Sequence, residues 1–398
     1  MAKFAKRIAY MQSTADVIRY LFEAMTDPDI ISFGGGAPAK EALPVELVHE
    51  IANEVLTRDQ RGVQALQYGN PIGIPDLRQA VIDQLLTPKG VKADLKNVMI
   101  VAGGMESMNL ISQLYLEPGD VVLVESPTFV QSIQIFKMFE AQCIACETDD
   151  NGFVIEDLEA KIKQYHPKMI YVIPTFQNPS GRTTSLERRK AIAELGSQYD
   201  IVVLEDDPYC EMRYSGEVLP PIKYFDETGH TIFANSLSKI FAPGTRLGYI
   251  YADEPIIRKL YEVKTATNSH TNVLTQILCA EFFKRGLYEP HLKMIRDIHR
   301  ERRDVMMECI KTMFPNETKF IYPDGGLFTW VELPEHVDTT LMLENAKQHK
   351  VAYMPGKEFF VEGQPIKNNC MRISFGGVAP DRIEAGMKRL ADVVRLYL

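Results

Sequence analysis

The sequence predicts an α/β protein: a mainly parallel, seven-stranded sheet between helices, joined to a smaller α+β unit. Two observations carry this. From Val98 to Tyr251, short runs rich in Val, Ile and Leu alternate with helical patterns, as in a parallel sheet covered on both faces. After about residue 290 that alternation loosens, which marks a change of architecture.

The elements follow in order. Thr14 to Met25 reads as a helix capped by Ser13 or Thr14, with Val17, Ile18, Leu21 and Phe22 on one face and Arg19 off it. Gly34, Gly35 and Gly36 follow a β-like run, either as a flexible loop or as a backbone wall against a small molecule. A helix spans about Pro44 to Thr57. Leu66 to Arg78 is turn-rich and runs into a helix; Tyr68 within it packs or offers its polar tip to a site.

The seven strands are Val98–Val101, Val121–Glu125, Gln142–Glu147, Met169–Ile173, Ile201–Glu205, Thr231–Ala234 and Leu247–Tyr251. Helices start at Gly103-Gly104, near Thr128, at Glu156 and at Leu186. Beyond them come a long charged helix from about Pro290 to Met313, a helix near Thr339 to His349, the strand Met371–Phe375 and a final helix.

Composition excludes several classes. The 398 residues are 45% hydrophobic and carry a net charge of -9. No basic run points to nucleic acid, and no apolar run is long enough to span a bilayer. The N-terminus lacks the apolar core of a secretory signal, so a cytoplasmic protein is expected. Cys143 and Cys146 form a C-x-x-C spacing without a second pair or a histidine cluster. In a strand they face opposite sides, so they are expected to be structural.

In open α/β sheets, ligands bind off the carboxyl ends of the strands. Lys239 sits there, between two apolar strands, with Ser236 and Ser238 before it and Arg246 after it. A lysine so placed is costly to desolvate without a partner or a covalent role. Hydroxyls and an arginine suit an anion such as phosphate. Together they point to a lysine that forms an imine with a phosphate-bearing aldehyde; a solvated loop is the plainer alternative. Gly103, Gly104 and Met105 open a helix whose N–H groups face an anion. Asp206 is either an N-cap or the partner of a protonated pyridine nitrogen. Asn178 and Tyr209 are candidate donors to a ring oxygen, Phe129 a cover for the ring face, and Arg372 a fork for a carboxylate.

These motifs together resemble a family. Glu125-Ser-Pro-Thr-Phe129, Gln177-Asn-Pro-Ser-Gly181, Glu205-Asp-Asp-Pro-Tyr209, Ser236-x-Ser-Lys239 with Arg246, Pro323-x-Gly-Gly-x-Phe-x-Trp330 and Met371-Arg-Ile-Ser-Phe375 are similar to those of fold type I, pyridoxal-phosphate-dependent aminotransferases of class I/II, nearest the aminoadipate/kynurenine-type branch. The resemblance covers nearly the whole chain. It implies an arm at residues 1–30, a small domain of 31–55 with 290–398, and a large cofactor-binding domain of 56–289.

It also implies roles. Lys239 is the Schiff-base lysine. Ser236, Ser238, Arg246 and the backbone of Gly104 and Met105 hold the phosphate. Asp206 pairs with the pyridine nitrogen, Asn178 and Tyr209 with the ring oxygen, and Phe129 stacks on the ring. Arg372 binds the substrate α-carboxylate, with Asn178, Gly35 and Gly36 lining the pocket, and Arg19 reads a distal carboxylate. Tyr68 reaches the phosphate of the neighbouring subunit, which implies a homodimer. The family often has a hydroxyl and a glutamine in the phosphate loop where this chain has Gly104 and Met105.

The implied reaction is a ping-pong transfer of an amino group from an L-amino acid (aminoadipate, aromatic or branched-chain) to a 2-oxo acid such as 2-oxoglutarate. The alternatives are a lyase or decarboxylase on the same fold, or a non-catalytic regulator or scaffold. Regulators of this fold carry an additional N-terminal DNA-binding domain, for which residues before about 14 leave no room.

Overall fold

The computed structural model describes residues 3–5, 7–8, 19, 27–361, 363 and 365–398. Apart from Arg19, which is helical, the helix expected over Thr14 to Met25 lies outside the described residues.

The large sheet contains β1 (Val98–Val101), β2 (Val121–Glu125), β3 (Gln142–Cys146), β4 (Met169–Val172), β5 (Val202–Asp206), β6 (Thr231–Ser236) and β7 (Gly248–Tyr251). Their order is β1-β7-β6-β5-β4-β2-β3. β7 runs antiparallel to both β1 and β6, and the pairs from β6 to β3 are parallel. Period-2 alternation explains why nearly every residue of these strands is apolar. Met99 and Val101 bury on one face, Val98 and Ile100 on the other; Leu204 and Val203 divide the same way. Cys143 and Cys146 also fall on opposite faces, and both are free thiols.

Two strands run further than their apolar patterns. β5 includes Asp206, and β6 continues through Asn235 to Ser236. Neighbouring strands satisfy their backbone groups, so the ladder continues past the last apolar residue. Three helices also went unread in the sequence: Gln60–Leu66, Glu254–Thr267 and Val273–Lys284.

A second sheet has four antiparallel strands: β8 (Lys319–Phe320), β9 (Phe328–Glu332), β10 (Met354–Pro355) and β11 (Cys370–Ser374), in the order β8-β9-β11-β10. The helices Tyr288–Met313 and Pro380–Arg395 share a core with it, through Met306, Ile310, Met387 and Leu390. Ile31–Ser32 pairs with Val351–Ala352, which ties the glycine stretch to this side. In the helix Val45–Val55, Ile51 and Val55 bury with Val98, Ile100 and Leu77 of the large sheet's core, because its apolar stripe faces that way.

Candidate functional site

The carboxyl edge of the large sheet gathers most of the predicted residues. β5 ends on Asp206, β6 ends on Ser236, and the turn Leu237–Lys239 continues directly from it. Asp206 and Phe129 line a cavity of about 150 Å³ with Ser236, Ser238, Gly104 and Met105. Phe129, Asn178, Tyr209, Lys239 and Arg246 line both this cavity and an adjoining one of about 480 Å³, which adds Gly35, Gly36 and Arg372.

Lys239 is half-buried, and its Nζ donates to the Gly36 carbonyl at 2.7 Å. Loss of water, with the positive charges of Arg372 and Arg246, pulls its ammonium down to about 8. It therefore becomes a neutral amine far more readily than an ordinary lysine. Asp206 is buried. Burial raises its carboxyl to about 7; the Tyr171 hydroxyl, donating to Oδ2 at 2.9 Å, opposes that rise and Asp207 adds to it.

Arg372 lies on β11 and is buried. Its Nη1 donates to Asn178 Oδ1 at 2.8 Å and its Nη2 to the Gly34 carbonyl at 2.5 Å. Its guanidinium lies 4.2 Å from the Phe328 ring centroid. Nε finds no acceptor among the described residues, a costly state for a buried donor. Burial also raises the Tyr209 phenol well above its ordinary range, so it stays an O–H donor.

Ser236 Oγ donates to Ser238 Oγ at 2.9 Å and accepts from the Ser238 N–H at 3.2 Å. Beside them, Gly103 precedes the helix Gly104–Tyr115 with φ +86. A Cβ there would lie 2.5 Å from Arg246 Nη2, the far end of a flexible side chain, so it is the positive φ that calls for glycine. At Gly248, opposite both Ser236 and Val101, a Cβ would meet the Gly103 backbone at 3.0 Å. Its absence lets the helix start approach Ser236. The N–H groups of Gly104 and Met105 are in the first turn, where no carbonyl precedes them in the helix.

The structure does not bring every candidate together. Tyr68 is 87% exposed and packs edge-on to His270, with ring centroids 5.7 Å apart. Arg19 is helical and exposed, and it lines neither cavity. Tyr171, Glu106 and Lys264 were missed in the sequence. Tyr171 reads there as one more strand residue, while Phe328 stood inside the Pro323-x-Gly-Gly-x-Phe-x-Trp330 motif with no role given. The pair Glu106–Lys264, 2.8 Å apart, spans too many residues for any local pattern. A tyrosine inside an otherwise apolar strand was the available signal for the first.

The donor set fits pyridoxal phosphate. It offers hydroxyls, first-turn N–H groups and an arginine for a phosphate, a buried carboxylate for a ring nitrogen, and a depressed lysine for an aldehyde. The orphaned Nε of Arg372 leaves a donor for a substrate carboxylate.

Known proteins agree. The family model for aminotransferase class I and II matches residues 28–390. An aromatic-amino-acid aminotransferase of Thermococcus litoralis is 39% identical, the match covering 96% of this chain and 92% of that protein. The crystal structure of a Pyrococcus horikoshii kynurenine aminotransferase with PMP superposes with a TM-score of 0.93 at 38% identity, covering 99% of this chain and 97% of that one. An alpha-aminoadipate aminotransferase of Thermus thermophilus, complexed with N-(5'-phosphopyridoxyl)-L-leucine, gives a TM-score of 0.89 at 30% identity, covering 99% and 97%. The chain thus belongs to the class I and II aminotransferases, in their aminoadipate/kynurenine-type branch, and is a pyridoxal-phosphate-dependent aminotransferase.

Proposed function

We propose that this aminotransferase takes its amino group from aromatic, branched-chain or aminoadipate-type L-amino acids and passes it to 2-oxoglutarate, at a site built from the residues described above. The observation that carries this reading is the pairing, around one cavity, of a depressed lysine with a buried arginine whose Nε lacks an acceptor.

Pyridoxal phosphate supplies an aldehyde that links to the amine and a ring that accepts the electron pair left at Cα. The chain's residues do the rest. Arg372 grips the α-carboxylate with its fork and orients the Cα–H bond. Lys239, as a neutral amine, would take the Cα proton on Nζ and hand it on to the aldehyde-derived carbon of the cofactor rather than back to Cα. Asp206 keeps the ring nitrogen protonated. Asn178 and Tyr209 donate to the ring oxygen, Phe129 covers the ring, and Ser236, Ser238, Arg246 and the N–H groups of Gly104 and Met105 hold the phosphate. Met105 brings no side-chain donor, so backbone groups carry that share.

Phe129, Val130, Phe328 and Met354 line the larger cavity together with Arg372, which suits apolar and aromatic side chains. Arg19 serves donors with a distal carboxylate. The working form is a cytoplasmic homodimer with Tyr68 contributed across the interface. Support comes from the exposure of Tyr68 and from cysteines that are all free and buried. Among the described residues no helix is long and apolar enough to cross a membrane.

Absorbance titration with a panel of amino acids tests the reading. Aromatic donors and aminoadipate should bleach the visible cofactor band, and 2-oxoglutarate should restore it. Arg19→Ala should cost aminoadipate about tenfold in kcat/KM, of the order of one charged contact, and spare phenylalanine. A band that bleaches only with small donors such as alanine would sink the substrate assignment.

A further inference from the structure

Tyr171 is fully buried in the middle of β4, between Ile170 and Val172. A phenol there is costly unless its hydroxyl is paired. Register explains the partner. Tyr171 lies opposite Leu204 of β5, and Asp206 is two residues further along the same strand, on the same face. The Tyr171 hydroxyl donates to Asp206 Oδ2 at 2.9 Å. Ser132 lies beside the same phenol, and its hydroxyl donates to the Phe129 carbonyl at 2.6 Å.

We infer that Tyr171 is a positioning residue for Asp206: its donated hydrogen bond holds Oδ2 and presents the other oxygen to the cofactor's ring nitrogen as a carboxylate. Oδ1 lies on the cavity side, 4.0 Å from where a Cβ on Gly104 would sit. A donor on one oxygen favours the charged form of the acid. Burial works against that charge, and the Tyr171 hydroxyl opposes burial. Burial and the nearby Asp206 charge push the phenol's own ionisation well up, so it remains a donor at any working pH. The proton shared between carboxylate and ring then resides on nitrogen. This inference rests on the assignment of Asp206 to the ring nitrogen.

The test compares two cofactors binding to the apo-protein: pyridoxal phosphate and its 1-deaza analogue, in which a C–H replaces the ring nitrogen. Tyr171→Phe should weaken pyridoxal phosphate about tenfold, the worth of a hydrogen bond to a charged group. The deaza analogue should change by less than about twofold, because no charged pair is at stake. The resonance of a 15N-labelled ring nitrogen should move toward that of neutral pyridine. A role in packing alone would weaken both cofactors equally, and equal loss or no loss overturns the inference.

Asp206→Asn separates the two layers of the argument. If it keeps the discrimination between cofactors, the assignment of Asp206 fails; if it loses discrimination while Tyr171→Phe keeps it, only the role of Tyr171 fails. Should the Phe variant not fold, Tyr171→Met decides. It removes the same donor with a flexible side chain that adapts to the site, so the same selective loss is required, and its absence overturns the inference.

Discussion

Lys239 shows how a single residue acquires its chemistry from its surroundings. The side chain is half-buried, near two arginines, with one carbonyl to bond. Only the neutral amine attacks an aldehyde, and its fraction grows as pH rises. With the ammonium at about 8, capture of pyridoxal phosphate by the apo-protein should accelerate up to about that pH and level off above it. A free lysine would keep accelerating to about 10.4. Arg372→Leu removes a positive neighbour and should move the midpoint upward. Stopped-flow absorbance across a pH series checks both, and a midpoint that stays above 10 in the wild-type protein would refute the environment assigned to Lys239. Lys239 and its serines were legible as a local string. The depressed amine was not, because Arg372 stands more than a hundred residues away in the chain.

At the scale of elements, the start of the Gly104–Tyr115 helix is braced from both sides. Arg246 Nη2 donates to the Ala102 carbonyl at 3.2 Å. Glu106 accepts from the Ala102 N–H and pairs with the buried Lys264 at 2.8 Å. A glutamate in the first turn favours the helix dipole but repels a phosphate bound at the same end. Lys264 cancels that repulsion. Lys264→Met should therefore weaken pyridoxal phosphate about tenfold, by exposing the phosphate to an uncompensated charge, and weaken unphosphorylated pyridoxal much less. Adding Glu106→Gln should recover the phosphate-specific part. Equal losses for both ligands, measured by fluorescence titration of the apo-protein, would reduce the pair to a structural tie. In the sequence the helix start was plain from Gly103-Gly104. Its brace was hidden, since the helix carrying Lys264 showed no pattern that assigned it to this place.

At the scale of the molecule, the site draws on both sheets. Asp206 and Lys239 come from the large sheet, Arg372 from the four-stranded one, and the Gly34–Gly36 loop contributes carbonyls to Lys239 and Arg372. Tyr68 points away into solvent, which the proposed dimer explains. Complementation tests that proposal. A Lys239→Ala dimer should be inactive, and a Tyr68→Ala dimer should hold pyridoxal phosphate weakly. Mixed dimers should regain one intact site, giving at low cofactor about half the wild-type turnover per dimer, as expected where two copies share sites. Mixed dimers seen by native mass spectrometry without that recovery would place Tyr68 outside the neighbouring site.

The strands and most helices of the large unit were determined by the sequence itself, because period-2 and period-3.6 apolar patterns are local and each residue's burial follows from them. So were the residue types suited to phosphate, ring and carboxylate, since each motif follows its own strand. Tertiary structure alone decided which of these residues share a cavity, where the helix Val45–Val55 packs, and how far Lys239, Asp206 and Arg372 depart from their ordinary protonation. Those properties depend on desolvation and on charges brought close from distant parts of the chain, and no local pattern encodes either.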